Sequence, residues 1–343
     1  MTMKVDLFYL SPNPYGGWVT YTCHLMEALE SVGVEVNLFK IRPRSEKNKR
    51  KFGYDKEYRN ITMVEALVRP TMKLIVAGAK QFKEQTKELY EFGNASIVIH
   101  DPTELKNMPR KLDPRRCVVI RKIGLKTLTD EDALRVREPA FIRHPYSCGE
   151  PAGEMPTNRL FNAVSTSRID FDKHTEILLD ANRLLEEHHQ IDIRGFENRL
   201  YTKFKIVPKY PEWVQSKAHY PRERDYARRF MLDYKFNVDM TIIKGDGGGT
   251  QYTWLEAWSA GCIPIINIEW LLEKPDDMIP GYNCIAVAGA EELAEILQGK
   301  RNGAVITDQK LRELQQGGYR SLEQHNAHMI GGEYLAFLTG QAV

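Results

Sequence analysis

The sequence predicts an α/β protein of two Rossmann-like domains facing a central cleft, and three observations carry that expectation. A short apolar strand, a glycine turn, a helix with an apolar stripe and a second strand follow one another at the start of the chain. The same order begins again after residue 160. Between the two halves Pro145, Gly149, Pro151, Gly153 and Pro156 cluster, the composition of a linker. A length of 343 residues suits two domains at roughly 100–200 residues each. The expected boundaries are 1–150 and 151–320, with 321–343 as a C-terminal helix.

Each element has a local reason. Residues 3–10 alternate well enough for a buried strand, and Ser11-Pro12-Asn13-Pro14-Tyr15-Gly16-Gly17 is a turn. Val19, Leu25, Met26 and Leu29 recur at helical spacing until Gly33 stops the helix. The run 34–39 is the second strand, and a β–turn–α–β unit of this kind calls for a parallel sheet. Apolar runs at 73–77, 96–100 and 117–123 supply further strands. In the second half the pattern predicts a strand at 161–165, a helix from about 173 to 189 and a strand at 191–195. A strand at 240–243, a glycine-rich turn at 244–250, a helix at 252–260 and a buried strand at 263–266 complete it.

Composition excludes several classes. With 48 Lys+Arg against 46 Asp+Glu the chain is neither a polycation nor an acidic disordered tail. No run approaches the ~18–20 apolar residues of a bilayer span, and residues 1–10 read as a strand, not a signal peptide. The five cysteines are scattered without a Cys-x-x-Cys pair, so no zinc site or disulfide framework is expected, and a reducing, cytoplasmic compartment is. The small net charge hides an asymmetry: residues 1–229 carry 40 basic and 31 acidic groups, and the remainder 8 and 15. Three segments concentrate the positive charge. One holds Lys40, Arg42, Arg44, Lys47, Lys49, Arg50 and Lys51, and another, 106–126, holds Arg110, Lys111, Arg115, Arg116, Arg121 and Lys122. The third, 199–229, interleaves lysines and arginines with Tyr201, Phe204, Tyr210 and Trp213. Such surface suits a phosphate backbone with bases stacked on aromatics, and it equally suits solvated loops.

Four constellations can carry chemistry. In Asp246-Gly247-Gly248-Gly249-Thr250 a glycine-rich turn after a strand lets backbone N–H groups approach a phosphate, and the next helix offers its positive N-terminus. Glu256, within that helix, can hold ribose hydroxyls. Arg168 and Lys173, five apart across a strand–helix turn, can both reach a diphosphate and neutralise it as a leaving group. Asp170 and Asp172 between them spell an Asp-x-Asp metal motif, read here as coincidence. Gly16 and Gly17 form a weakly specific turn. His100-Asp101 ends a strand at the edge that opens on the ligand crevice, where the pair can bind a sugar hydroxyl or deprotonate an acceptor; before Pro102 it also suits a turn or cap.

Taken in this order, the motifs resemble the retaining GT-B glycosyltransferases, most of all the DNA α-glucosyltransferases of T-even phages. The matching residues are Gly16, Gly17, Val19 and Thr20; His100 and Asp101; and Tyr252, Thr253, Leu255, Glu256, Gly261, Ile263 and Pro264. The sequence departs from the general pattern at Gly248, where most such transferases carry a second Glu for the donor sugar, and Asp246 is the nearest substitute.

The resemblance implies an N-terminal acceptor domain, a C-terminal nucleotide-sugar domain and a last helix that returns to the first domain. It implies transfer of a hexose or pentose from a UDP-sugar, with retention and without an essential metal or cofactor. Arg168 and Lys173 would hold the diphosphate, Glu256 the ribose, and Gly247, Gly248, Gly249 and Thr250 the phosphates or sugar. His100 and Asp101 would face sugar and acceptor. The acceptor it favours is a 5-hydroxymethyl pyrimidine in double-stranded DNA, gripped by Arg44, Lys49, Arg50, Lys51, Arg115 and Arg116, with Trp18 or Trp213 assisting extrusion of the base. A monomer in the cytoplasm, the host's for a phage protein, completes the expectation. Two alternatives stand beside it: a transferase acting on a small-molecule, lipid-linked or polysaccharide acceptor, and a non-catalytic nucleic-acid-binding protein on the same shell.

Overall fold

The computed structural model describes residues 3–11, 16–76, 87–99, 113–121, 139–149, 161–211, 223–242, 250–273 and 277–341. The chain divides into two compact units, residues 1–147 with 324–343, and residues 148–323.

The first unit is built on eight strands: β1 (Lys4–Tyr9), β2 (Glu35–Ile41), β3 (Arg50–Gly53), β4 (Lys56–Ile61), β5 (Met72–Val76), β6 (Ala95–Ile99), β7 (Cys117–Val119) and β8 (Ala140–Phe141). Their order is β3-β4-β2-β1-β5-β6-β7-β8, parallel throughout except where β3 turns back on β4. Five of the six β1 residues are buried, the mark of a strand covered on both faces. Phe8, Phe39, Ile75 and Ile97 share one core cluster. Asp6 is fully buried within β1 and is satisfied by the Arg69 guanidinium, the Thr71 hydroxyl and Asn37. Helix α1 (Gly17–Ser31) follows β1; α2 (Met63–Val68), opened by a Thr62–Glu65 capping box, and α3 (Lys87–Glu91) follow later strands. The last helix, Ala327–Thr339, lies on α1. The Tyr21 and Tyr334 hydroxyls meet there, and a Cβ on Gly331 would stand 2.1 Å from the Ala28 carbonyl oxygen, so this crossing requires glycine.

The second unit holds a wholly parallel sheet of β9 (Phe161–Ser165), β10 (Ile191–Ile193), β11 (Tyr234–Asp239), β12 (Ile263–Asn267) and β13 (Ile285–Val287), in the order β10-β9-β11-β12-β13. Its longer helices are α4 (Thr175–Leu184), α5 (Tyr226–Met231), α6 (Tyr252–Ser259), α7 (Ala290–Leu297) and α8 (Asp308–Glu323). Phe236, Val238, Ile263, Ile265, Leu293 and Ile296 are among the residues of its core. Strand order reverses between β9 and β11, and the loops leaving the carboxyl ends of these two strands therefore part and open a crevice.

The β3–β4 hairpin has no counterpart in the sequence expectation, the strand expected at 117–123 ends at Val119, and two elements of the second unit are placed differently. The strand expected at 240–243 lies at Tyr234–Asp239, and Met240 to Ile242 follow it as irregular chain. Tyr234-Lys235-Phe236-Asn237-Val238-Asp239 alternates apolar and polar residues like a surface strand, yet Asn237 and Asp239 are buried. The helix expected from 173 to 189 starts at Thr175 and ends at Leu184. Leu185 is extended, and Glu187–His189 is a separate turn. Among the described residues no helix is long and apolar enough to cross a membrane.

Candidate functional site

The crevice between β9 and β11 gathers the charged residues singled out in the second half of the sequence. Strand β9 delivers Ser167 and Arg168, the turn carries Asp170 to Lys173, and β11 ends on Asp239. Ile169, buried at 1% exposure, anchors the turn. Its N–H donates to the Phe196 carbonyl and its own carbonyl accepts from Asn198, while the side chain joins Leu179, Tyr201, Ile206 and Tyr210. Gly195 lets the neighbouring chain come this close, because a Cβ there would lie 1.9 Å from the Ser167 carbonyl oxygen.

The two cations are held differently. Arg168, half exposed, donates from Nη1 to Asp170 at 2.6 Å and from Nη2 to Asp172 at 3.0 Å. The Asp-x-Asp pair therefore works as a brace for this guanidinium. Lys173 is buried, and its Nζ donates to Thr241 Oγ1 at 2.7 Å and to Gln251 Oε1 at 2.8 Å, with Asp239 Oδ2 at 3.7 Å. Asp239 also accepts from the Ser167 hydroxyl at 2.7 Å and from the backbone N–H of Thr241 at 3.0 Å. Burial works to raise the pKa of this carboxyl. The Lys173 charge and the donors from Thr241 and Ser167 outweigh burial and hold it below its ordinary range.

Helix α6 supplies the third component. Gln251 is its N-cap in extended conformation, no side chain caps the helix, and no acid stands in the first turn. The positive end of the helix dipole is therefore not offset by a capping side chain from Gln251 or an acid of its own first turn. Glu256 sits one turn further, partly buried, and its carboxyl accepts no hydrogen bond among the described residues. Burial, with repulsion from Asp225, lifts its pKa to about 8, so its carboxyl is largely neutral at pH 7 until a ligand offers hydroxyl donors. Thr250 is buried just before the helix. Two cations, a helix start that Gln251 does not cap and a carboxyl beyond them are groups of the kind that can hold a diphosphate joined to a ribose.

The remaining expected residues fall into three groups. His100, Asp101, Trp213, Asp246, Gly247, Gly248 and Gly249 lie outside the described residues. In the first unit, Gly16 is the N-cap of α1 with φ 88°, Gly17 opens the helix, and Trp18 packs edge-on against Tyr21. Of the basic residues there, Lys49 pairs with Glu57 at 3.4 Å, Arg50 with Glu46 at 2.6 Å and Arg115 with Asp113 at 3.0 Å. Arg44 and Lys51 are exposed. Arg116 gives its guanidinium to the carbonyls of Ala95 and Phe92, tying a turn together. Among the described residues no group of three or more His, Cys, Asp or Glu is placed to hold a metal ion.

Sequence reasoning missed Ser167, Asp239, Thr241 and Gln251. A strand at 240–243 puts Asp239 before its start, whereas the observed strand closes on it. The available signal was Gln251 itself, a polar residue just before a helix start.

Solved structures share this architecture over nearly the whole chain. An alpha-glucosyltransferase in complex with UDP matches with a TM-score of 0.66 at 14% identity, covering 98% of this chain and 100% of its own. An alpha-glucosyltransferase in complex with UDP and a 13-mer DNA containing a central A:G mismatch gives 0.67 at 13% identity, over 98% and 100%. The pneumococcal O-GlcNAc transferase GtfA, in complex with UDP and GlcNAc, gives 0.60 at 11% identity over 99% of each chain. No protein-family model matches the sequence, and no curated protein does. At such identities the likeness is one of fold: the chain has the GT-B architecture of these UDP-bound transferases.

Proposed function

We propose that the chain is a retaining glycosyltransferase that moves a sugar from a UDP-sugar to the 5-hydroxymethyl group of a modified pyrimidine in double-stranded DNA. The observation that carries the donor half is Lys173, a buried ammonium fixed at the switch point of the second sheet beside Arg168 and the uncapped start of α6. In the reaction the bond from the sugar C1 to the β-phosphate oxygen breaks, and a bond from C1 to the acceptor oxygen forms on the same face. The acceptor proton passes to the departing UDP. Charge accumulates on the diphosphate as it leaves, where Arg168 and Lys173 neutralise it without reorganising. Glu256 receives the ribose hydroxyls, and His100 and Asp101 are assigned to sugar and acceptor.

Two facts support the DNA acceptor. The fold matches to the DNA-complexed and UDP-bound alpha-glucosyltransferases have TM-scores of 0.65 to 0.67, above the 0.60 of the O-GlcNAc transferase. The first 229 residues also carry the excess of basic groups. A second reading, a membrane-associated acceptor, is favoured by a different observation. Leu200, Phe204 and Val207 are at least half exposed beside Lys203 and Lys205, a surface suited to an anionic bilayer.

The test incubates the protein with UDP-sugars and duplexes containing cytosine, thymine, 5-hydroxymethylcytosine or 5-hydroxymethyluracil, followed by mass spectrometry of the nucleosides. A sugar added to one hydroxymethyl base, and lost in Arg168→Ala and Glu256→Ala, is the expected result. Donor hydrolysis with no added mass on any duplex would refute the DNA acceptor and favour the membrane reading.

A further inference from the structure

The Gln251 carboxamide has a fixed orientation. Lys173 Nζ lies 2.8 Å from its oxygen, and an ammonium can only donate, so the oxygen must face the lysine and the NH2 group must face away. That Nε2 is buried and has no hydrogen-bond partner among the described residues. Gln251 leaves the N–H groups of its own helix uncapped and spends its carbonyl oxygen on a lysine instead. Lys173 in turn gives two of its three N–H bonds to Thr241 and Gln251. Its third N–H has no acceptor nearer than Asp239 Oδ2 at 3.7 Å, and the two on Gln251 Nε2 have none among the described residues, at the start of a helix that carries no acid in its first turn. Buried donors in such a group require an acceptor, and a cation among them selects an anionic one.

We propose that Gln251 is a ligand-binding residue, its side-chain NH2 donating to the β-phosphate of the bound nucleoside diphosphate while its carbonyl holds Lys173 on the same phosphate. This assignment rests on the donor reading above. It goes beyond that reading by giving a side chain, rather than backbone amides, to the recognition of the second phosphate. One carboxamide then links two functions: the lysine cannot move without turning the amide that shares its ligand.

The test is calorimetric titration of the full chain and of Gln251→Glu and Gln251→Met with UDP, UMP and uridine. Gln251→Glu keeps size and an acceptor for Lys173 but replaces the NH2 donor with a negative oxygen. UDP affinity is expected to fall about 10–100-fold, with uridine affinity and Tm held near wild type. Gln251→Met, neutral but without a donor, is expected to fall about 10-fold for UDP and little for uridine. Unchanged UDP affinity in Gln251→Glu overturns the assignment, as do equal losses for UDP, UMP and uridine, which mark a purely structural role. Wild-type protein that binds no UDP overturns the donor reading and this assignment together.

Discussion

Each unit buries a lysine at the carboxyl edge of its parallel sheet, and the two are treated in opposite ways. Lys40, near the end of β2, is 3% exposed and lies over the rings of Tyr9, Phe52 and Tyr58 at 5.0, 5.8 and 5.0 Å. No carboxylate pairs with it among the described residues, and burial, helped by Arg42, pulls its pKa down from 10.5 to about 8. Cation–π contacts of roughly 0.5–2 kcal/mol do not replace lost hydration. Lys173, 8% exposed, faces Asp239 and two further oxygens. The second unit sets a buried carboxylate and two further oxygens around its ammonium, where the first sets aromatic rings. The first unit leaves its lysine with a weakened hold on its proton.

Removing Asp239's charge makes Lys173 resemble Lys40, and this is the largest effect expected. Asp239→Asn leaves a buried ammonium without its counter-ion and should cost about 3–5 kcal/mol in denaturant unfolding. A cost below about 1 kcal/mol would mean that the pair is not the anchor described.

Lys40→Met should act in the other direction. The folded-state pKa lies below the unfolded one, so between pH 8 and 10.5 the unfolded chain binds more protons and stability rises with pH. The full penalty applies below pH 8. Lys40→Met should therefore be more stable than wild type at pH 7 by on the order of 2–3 kcal/mol, with the gap closing towards pH 10.5. A gap independent of pH would show that Lys40 keeps its charge by other means.

Gly195→Ala comes next. Its Cβ would displace the Ser167 carbonyl and with it the turn that carries Arg168 and Lys173, at a cost of about 1–3 kcal/mol and with reduced kcat. Unaltered kcat would show that the turn tolerates the shift.

Glu256 shares Lys40's midpoint of about 8 but in the opposite sense, gaining charge as pH rises. Ribose hydroxyls donate best to the ionised carboxylate, so binding releases a proton. UDP affinity should then rise with pH up to about 8, by at most about tenfold per unit, and level off above it. Titrations at pH 6, 7 and 9 check this, and Glu256→Gln should flatten the profile.

What the sequence revealed was set by how far each signal reached along the chain. Arg168, Lys173 and Glu256 stand at fixed distances from a strand end or a helix start, and local pattern is enough to place them. Asp239 could not be placed because Lys235, Asn237 and Asp239 made a central strand look like a surface one. Asp239 takes its partners from elsewhere in the unit, among them Ser167, which lies 72 residues away. The basic run after Lys40 read as a loop because its reversal uses Tyr54 and Asp55, both at positive φ, in place of an Asn-Gly signal. The close crossing at Gly331 depends on a carbonyl of α1 some 300 residues earlier, which no local pattern announces.

The most direct test of the account is UDP binding by wild type, Lys173→Met and Lys40→Met, measured side by side at pH 7.5. The two substitutions remove the same group from equally buried positions in the two units. The account predicts that Lys173→Met loses about 10–100-fold in affinity while Lys40→Met binds as wild type does. Equal affinity in all three proteins, or a loss confined to Lys40→Met, would contradict the placement of the donor site between β9 and β11.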